Sequence, residues 1–329
     1  MRTFKLPKAA PLLDIASYAR GGVRAADRFT PAQIEHIRLT VNRAPEVMVK
    51  VLSKGSSDLE AVGRHFDYIG RQGDLALESD DGYQLHGRVG QELIDDWGLD
   101  LDELRPTSSL NALPARKPPK LVHKLVFSMP PGTPPQKVLS AVRNFAREEF
   151  HGQHRYAMVL HTDEPHPHVH LVLRALSNEC VRLNIRKATL RHWRAQFAQH
   201  LRSLGVAANA TERAVRGEDR KAMKDGIYRA SLRGASTHVR ERVEAVAREL
   251  AGGGVQPEAG KRTLTETRAV IESGWRAVAN RLTQQGDHRL AADVSRFAEA
   301  MARPLTDREA IARVLFAQVR AQHREAHVR

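Results

Sequence analysis

The chain has 329 residues, a formal charge of +14 and a single cysteine, Cys180. One cysteine excludes a disulfide framework and a cysteine-rich zinc finger. No apolar run approaches the ~20 residues that span a bilayer, and the basic stretch from Met1 to Arg28 lacks the apolar core of a signal peptide. The expectation is a soluble, cytoplasmic protein with one large domain and a smaller one. Its charge is unevenly spread: residues 104–200 hold 15 Lys or Arg against 5 Asp or Glu, a surplus of ten. Phosphate polyanions are the natural partners of such a field.

Residues 1–29 show weak periodicity and read as a poorly ordered arm. Thr30-Pro31 is a cap for a short helix over 31–38. Glu46–Leu52 reads as a first strand, ended by Lys54-Gly55. Ser57 or Asp58 then caps a helix to about Gln72, with Gly70 and Gly73 near its end. At about 100° per residue, Leu59, Val62, Phe66 and Ile69 share the buried side. Tyr68 falls nearly opposite, near Arg64 and Arg71, where no core needs it. Periodicity alone marks it as an exposed amphipathic tyrosine.

Leu75–Glu78 and Tyr83–Leu85 form a hairpin around Ser79-Asp80-Asp81-Gly82. A short helix over Gln91–Trp97 and a polar, proline-bearing loop over Pro106–Pro119 follow. Lys120–Met129 is a strand, and Thr133-Pro134 caps a long helix to about Phe150 with Val138, Val142 and Phe145 inward. Two more strands come next, then Val181–Ile185, then a helix from about Thr189 to Leu204 stopped by Gly205. Strand signals end there. Residues 211–224 are charged, 235–250 helical, and Ala251–Gly260 reads as a linker. Thr263-x-x-Glu266 and Thr306-x-x-Glu309 are capping-box patterns opening two further helices. There is no internal repeat. The order of elements predicts an α+β fold, a central antiparallel sheet with helices packed on it, followed by a small all-helical C-terminal region.

The densest chemistry lies at His161-Thr-Asp163-Glu-Pro-His166-Pro-His168-Val-His170. Four histidines and an aspartate fall within ten residues, in a chain with 16 histidines. Side chains alternate across a strand, so His168 and His170 share a face while Val169 and Leu171 take the other. Tyr156–His161 is a second strand and Asp163-Glu164-Pro165 a turn. An antiparallel hairpin would bring His161 beside the pair, and three converging imidazoles can bind a divalent metal. The helical His-x-x-x-His spacing of a zinc protease is absent.

These residues resemble the relaxase family, the HUH-type nickases that start conjugative transfer or mobilisation of plasmid DNA, and within it the border-nickase branch. The histidine motif carries most of the likeness. It is joined by His65-Phe-Asp-Tyr68-Ile-Gly-Arg71-Gln-Gly73, by Val126-Phe-Ser128-Met-Pro130-Pro131-Gly132-Thr133 and by Arg213-Ala-Val-Arg216-Gly217. The resemblance implies a relaxase domain over 41–220, after an arm over 1–40 and before a helical region over 221–329 with a linker near 251–262. It implies His161, His168 and His170 as ligands of a divalent metal ion, Mg2+ or Mn2+, and Tyr68 as nucleophile. Asp163 would fix an imidazole tautomer, and His166 would assist proton transfer or orient DNA. Arg64, Arg71, Ser128, Arg213 and Arg216 would contact DNA. The implied activity is site- and strand-specific nicking of single-stranded origin-of-transfer DNA through a 5′-phosphotyrosyl intermediate. Accessory relaxosome proteins and a type IV secretion coupling protein would be partners in a bacterial cytoplasm.

Two rival functions fit parts of the pattern. Rolling-circle replication initiators and single-tyrosine transposases resemble chains whose tyrosine follows the histidine motif, whereas Tyr68 precedes it. A non-catalytic DNA-binding protein with a structural metal would retain DNA without capturing it covalently. No Gly-x-x-x-x-Gly-Lys phosphate loop is present, in keeping with a nickase that has no helicase activity.

Overall fold

The computed structural model describes residues 3–4, 14–19, 28–52, 57–104, 118–219, 225–254 and 258–328. In chain order, strand β1 (Thr3–Phe4) precedes helices α1 (Ile15–Ala19) and α2 (Pro31–Val41). A capping box opens α2: Gln33 N–H donates to Thr30 Oγ1 at 3.2 Å, and Thr30 N–H to Gln33 Oε1 at 2.9 Å. Strand β2 (Met48–Leu52) leads to α3 (Leu59–Ile69), where Asp58 Oδ1 accepts the Ala61 N–H at 2.6 Å. Strands β3 (Leu77–Ser79) and β4 (Gln84–Leu85) and helices α4 (Gly90–Asp96) and α5 (Leu99–Leu104) follow. The loop expected over Pro106–Pro119 lies almost wholly outside the described residues.

Strand β5 (Val122–Ser128) runs into α6 (Pro135–Phe150). Thr133 does not cap this helix. Its hydroxyl donates to the Pro130 carbonyl at 2.9 Å, closing the turn before it, and Pro134 occupies the N-cap. Strands β6 (Tyr156–His161), β7 (His168–Arg174) and β8 (Arg182–Leu183) precede α7 (Lys187–Ser203). The remaining helices are α8 (Asp225–Leu232), α9 (Thr237–Ala251), α10 (Lys261–Gln284), α11 (His288–Glu299) and α12 (Asp307–Val328). Thr306 and Glu309 make the expected reciprocal bonds at the start of α12, 2.8 and 3.2 Å. Thr263 does not open α10, which already begins at Lys261 and carries Thr263 inside its first turn.

The chain forms two compact units: residues 1–12 with 42–210, and residues 13–41 with 211–329. The first holds a six-stranded antiparallel sheet in the order β2-β5-β7-β6-β3-β4, and β1 pairs in parallel with β8. Helices cover both faces. On one, Leu125, Phe127, Met158, Val169 and Leu171 pack against Phe145 of α6 and Trp193 and Phe197 of α7. On the other, Val122, Ala157, Val159 and Val172 meet Val62, Phe66 and Ile69 of α3 and Leu93 of α4. Each such side chain contributes roughly 1.5–3 kcal/mol by leaving water, which fixes α3 on this face. Glycine permits its close approach to α4: a Cβ on Gly90 would sit 2.5 Å from the Gly63 carbonyl oxygen.

In the second unit α10 and α11 form a helical pair whose core includes Trp275, Val278, Leu282, Val294 and Phe297. Ile15, Phe29 and Ile37 are buried in that same core, so residues 14–19 and 28–41 are integrated into a helical core instead of forming a detached arm. A Cβ on Gly274 would lie 2.1 Å from the Ile15 carbonyl oxygen, so only glycine lets α1 lie this close to α10.

Candidate active site

The register of the sheet builds the site. β6 and β7 pair so that His161 lies opposite His168 and Val159 opposite His170, and β5 adds Ser128 opposite His168. Directly opposed residues share a face, so His161, His168 and His170 project together onto the face that α3 covers. Their ring centroids are 4.7–5.2 Å apart, and one ligand nitrogen from each lies within 4.8 Å of the others.

Their hydrogen bonds define which ring nitrogens carry the lone pairs, and that of His161 also accepts from Arg71 Nη2 at 3.4 Å. His161, only 2% exposed, donates through Nε2–H to the Ile69 carbonyl at 2.7 Å, leaving its lone pair on Nδ1. His168 donates through Nδ1–H to the His166 carbonyl at 3.2 Å, leaving Nε2. His170 Nδ1 is buried with no hydrogen-bond partner, and an orphaned imidazole nitrogen is costly unless something coordinates it. Burial, reinforced by the neighbouring His161, pushes His170 down to about 3; burial also lowers His161. His170 is therefore neutral near pH 7, the form that ligates cations. The donor set fits a divalent metal ion.

Helix α3 ends one residue after Tyr68, at Ile69, and not at Gln72. Arg71, Gln72 and Gly73 all take positive φ (53°, 59° and 107°), which no helix can continue. Arg71 is thus thrown out of the helix. It salt-bridges Asp163, its Nη2 lies 3.4 Å from His161 Nδ1, and its guanidinium carbon lies 5.8 Å from the Tyr68 ring centroid. Tyr68 itself is 57% exposed and lines an open cleft of about 730 Å³ with Arg64, His65, Arg88 and Lys124.

The other sequence-predicted residues fall in several places. Asp163 bonds the Arg71 guanidinium, while the Ile69 carbonyl fixes the His161 tautomer. His166 is half-buried, its ring 5.5 Å from that of His168. Ser128 is 4% exposed, so it supports His168 from the adjacent strand and offers little surface to DNA. Arg64 is exposed and ion-paired with Glu60. Arg213 and Arg216 belong to the second unit, where Arg216 bonds Glu218 and the Thr211 carbonyl.

His65 and Lys124 are among the cleft residues to which the sequence assigns no role. The His65 ring stacks near Tyr68 (6.3 Å, 21° between planes) and meets His170 edge-on at 6.3 Å. Burial, then the Lys124 charge, pushes its pKa down to about 4. Lys124 is buried on β5, where its Nζ donates to the Ala61 carbonyl at 3.4 Å, and burial lowers it to about 8. Its signal was a lone cation in an apolar strand with the same parity as Ser128. Asp67, one residue before the tyrosine, is structural: its Oδ1 accepts the Gly90 N–H at 3.0 Å and ties α4 to α3.

An antiparallel sheet thus presents three imidazoles on the face that the tyrosine-bearing helix covers. Residues 89–205 match the family model described as "Relaxase: MobA/VirD2-like, nuclease domain". That segment contains the three histidines and begins downstream of Tyr68. Two curated relatives are similar. The T-DNA border endonuclease VirD2 of Agrobacterium fabrum is 24% identical over 217 residues, 60% of this chain and 46% of that protein. VirD2 of Rhizobium rhizogenes is 23% identical over 206 residues, 54% of this chain and 42% of that protein. The chain spans less than half the length of either relative.

Proposed function

We propose that this protein is a metal-dependent relaxase that nicks one strand of DNA at an origin of transfer and retains the strand on Tyr68. The observation that carries the reading is the bond from His161 to the Ile69 carbonyl, which couples the imidazole cluster to the residue after Tyr68. The matched relaxase segment and the likeness to border endonucleases support it.

A phosphodiester anion repels nucleophiles, and a phenol is a weak nucleophile until its proton leaves. We assign Tyr68 Oη to attack the scissile phosphorus. The P–O3′ bond breaks, a 5′-phosphotyrosyl ester forms, and the departing 3′-oxygen takes a proton to become a hydroxyl. We assign the phenolic proton to His65, neutral and stacked against Tyr68. Arg64, Arg71 and Lys124 hold the phosphate, and His161, His168 and His170 would hold the metal. An ion bound there would supply Lewis-acid polarisation of the phosphate oxygens and offset developing charge. One ester replaces another, so the reverse attack by a 3′-hydroxyl reseals the strand without ATP. Single-stranded origin DNA is the substrate class, with accessory relaxosome proteins and a secretion coupling protein as further partners and a bacterial cytoplasm as its setting.

The test is incubation with single-stranded candidate origin oligonucleotides and Mn2+ or Mg2+, then denaturing electrophoresis. A metal-dependent protein–DNA adduct is the expected result. Retention of DNA without an adduct on any origin sequence contradicts the reading.

A further inference from the structure

On the opposite sheet face from the imidazole cluster, a pocket of about 520 Å³ lies between the start of β5 and the N-terminus of α7. Lys120, Arg182, Arg186 and Lys187 line it, and no acidic residue does among the described residues. Asp102, itself bonded to Arg174, acts on Arg182 from outside the lining, and an anion in the pocket would offset the repulsion that remains among the four cations. The first N–H groups of the 17-residue α7 add positive potential.

A second observation sits in the wall. His123 lines the pocket and is 6% exposed. Its Nε2–H donates to the Leu183 carbonyl at 3.2 Å, and its Nδ1 is buried with no partner. That nitrogen is a bare acceptor, which a ligand bearing a hydroxyl or amino hydrogen would satisfy. Arg182 is held in place by the Lys120 carbonyl, and its Nε is likewise buried and unpartnered. Val51 and Leu190 supply apolar wall, while Arg186 and Lys187 form an exposed rim.

A cationic rim, an apolar wall and a buried acceptor together match a nucleotide unit better than a bare anion. We infer that this pocket is a second phosphate-binding site, taking a phosphate and its attached nucleoside from a nucleic-acid strand. His123 is five residues along β5 from Ser128, which faces His168, or roughly 17 Å of strand. The site is thus distinct from the tyrosine cleft, and the inference does not rest on the nickase reading.

The test uses the full chain in EDTA, so that no cleavage enters. Fluorescence anisotropy with a single-stranded oligonucleotide compares wild type with the Arg186→Glu/Lys187→Glu double variant, whose side chains are exposed. The variant should lose at least about tenfold in affinity at 0.1 M salt, and its salt slope should fall by about 1.4 for two lost contacts. Arg262→Glu/Arg276→Glu, exposed on α10, is the control. Equal losses in both variants overturn the site. The His123 imidazole nitrogen resonances, assigned with His123→Gln, should shift when the oligonucleotide binds. Oligonucleotide binding with these signals unmoved overturns the proposal, and so does a shift produced by inorganic phosphate alone.

Discussion

His161 Nε2–H donates to the Ile69 carbonyl at 2.7 Å, joining strand β6 to the last residue of the helix that carries Tyr68. One bond thus does two things. It fixes the tautomer that turns the His161 lone pair toward its partner imidazoles, and it holds the end of α3 over them. The contact ties the Tyr68 helix to the imidazole cluster across 92 residues of sequence.

His168→Ala and His170→Ala should each abolish metal-dependent nicking, because two remaining imidazoles do not hold a divalent ion in catalytic geometry. Calorimetric Mn2+ binding should weaken by 10-fold or more, an order-of-magnitude expectation for loss of a ligand. DNA binding should fall less, since the positive field remains. Wild-type cleavage in both variants, in the same metal, would show the ligands to be misassigned.

Arg64 lines the Tyr68 cleft from α3, and Arg71, in the left-handed turn after it, lies beside the Tyr68 ring. Binding of single-stranded DNA should fall steeply with salt as counterions are released. In the Arg64→Ala/Arg71→Ala variant the slope of log K against log salt should drop by about 1.4. Anisotropy titrations between 50 and 300 mM salt measure it, and an unchanged slope places the phosphate contacts elsewhere.

The sheet and its ligand face were legible because period-two alternation fixes which residues share a side, so His168, His170 and, through the hairpin, His161 followed from spacing. The buried face of α3 followed from 3.6-residue periodicity, leaving Tyr68 outside. Contacts across long separations were not legible. Nothing local announces that Arg71 leaves the helix to meet Asp163, or that Phe29 N–H reaches Gln285 Oε1 at 3.3 Å across 256 residues. The N-terminal segment has weak periodicity because its short helices bury only a few side chains each, among them Ile15 and Ile37. Lys124 was hidden for a similar reason: its proximity to His65 depends on how α3 lies across the sheet.

His123 predicts a pH dependence of stability. Burial lowers it to about 4, against the Leu183 hydrogen bond that raises it, with Lys120, His154 and Arg182 lowering it further. A histidine near 6.5 when unfolded and about 4 when folded takes up its proton preferentially in the unfolded chain. Its contribution is complete above pH 6.5 and is lost as pH falls toward 4. The loss between pH 7 and 5 is about 2 kcal/mol. Urea midpoints of metal-free protein should fall over that range, and His123→Gln should flatten the decline. An identical decline in the variant would mean that His123 does not carry it.

The central claim is that Tyr68 is the nucleophile. A phenylalanine keeps the ring and removes only the hydroxyl of a side chain that is 57% exposed, so Tyr68→Phe should cost under about 1 kcal/mol of stability. It should still bind Mn2+ and origin DNA. The most direct measurement is mass spectrometry of peptides from the trapped adduct. It should find the nucleotide on Tyr68 in wild type and no adduct in Tyr68→Phe, with Tyr83, Tyr156 and Tyr228 unmodified. A nucleotide on Tyr18 or Tyr228, or full adduct formation in Tyr68→Phe, would contradict the account.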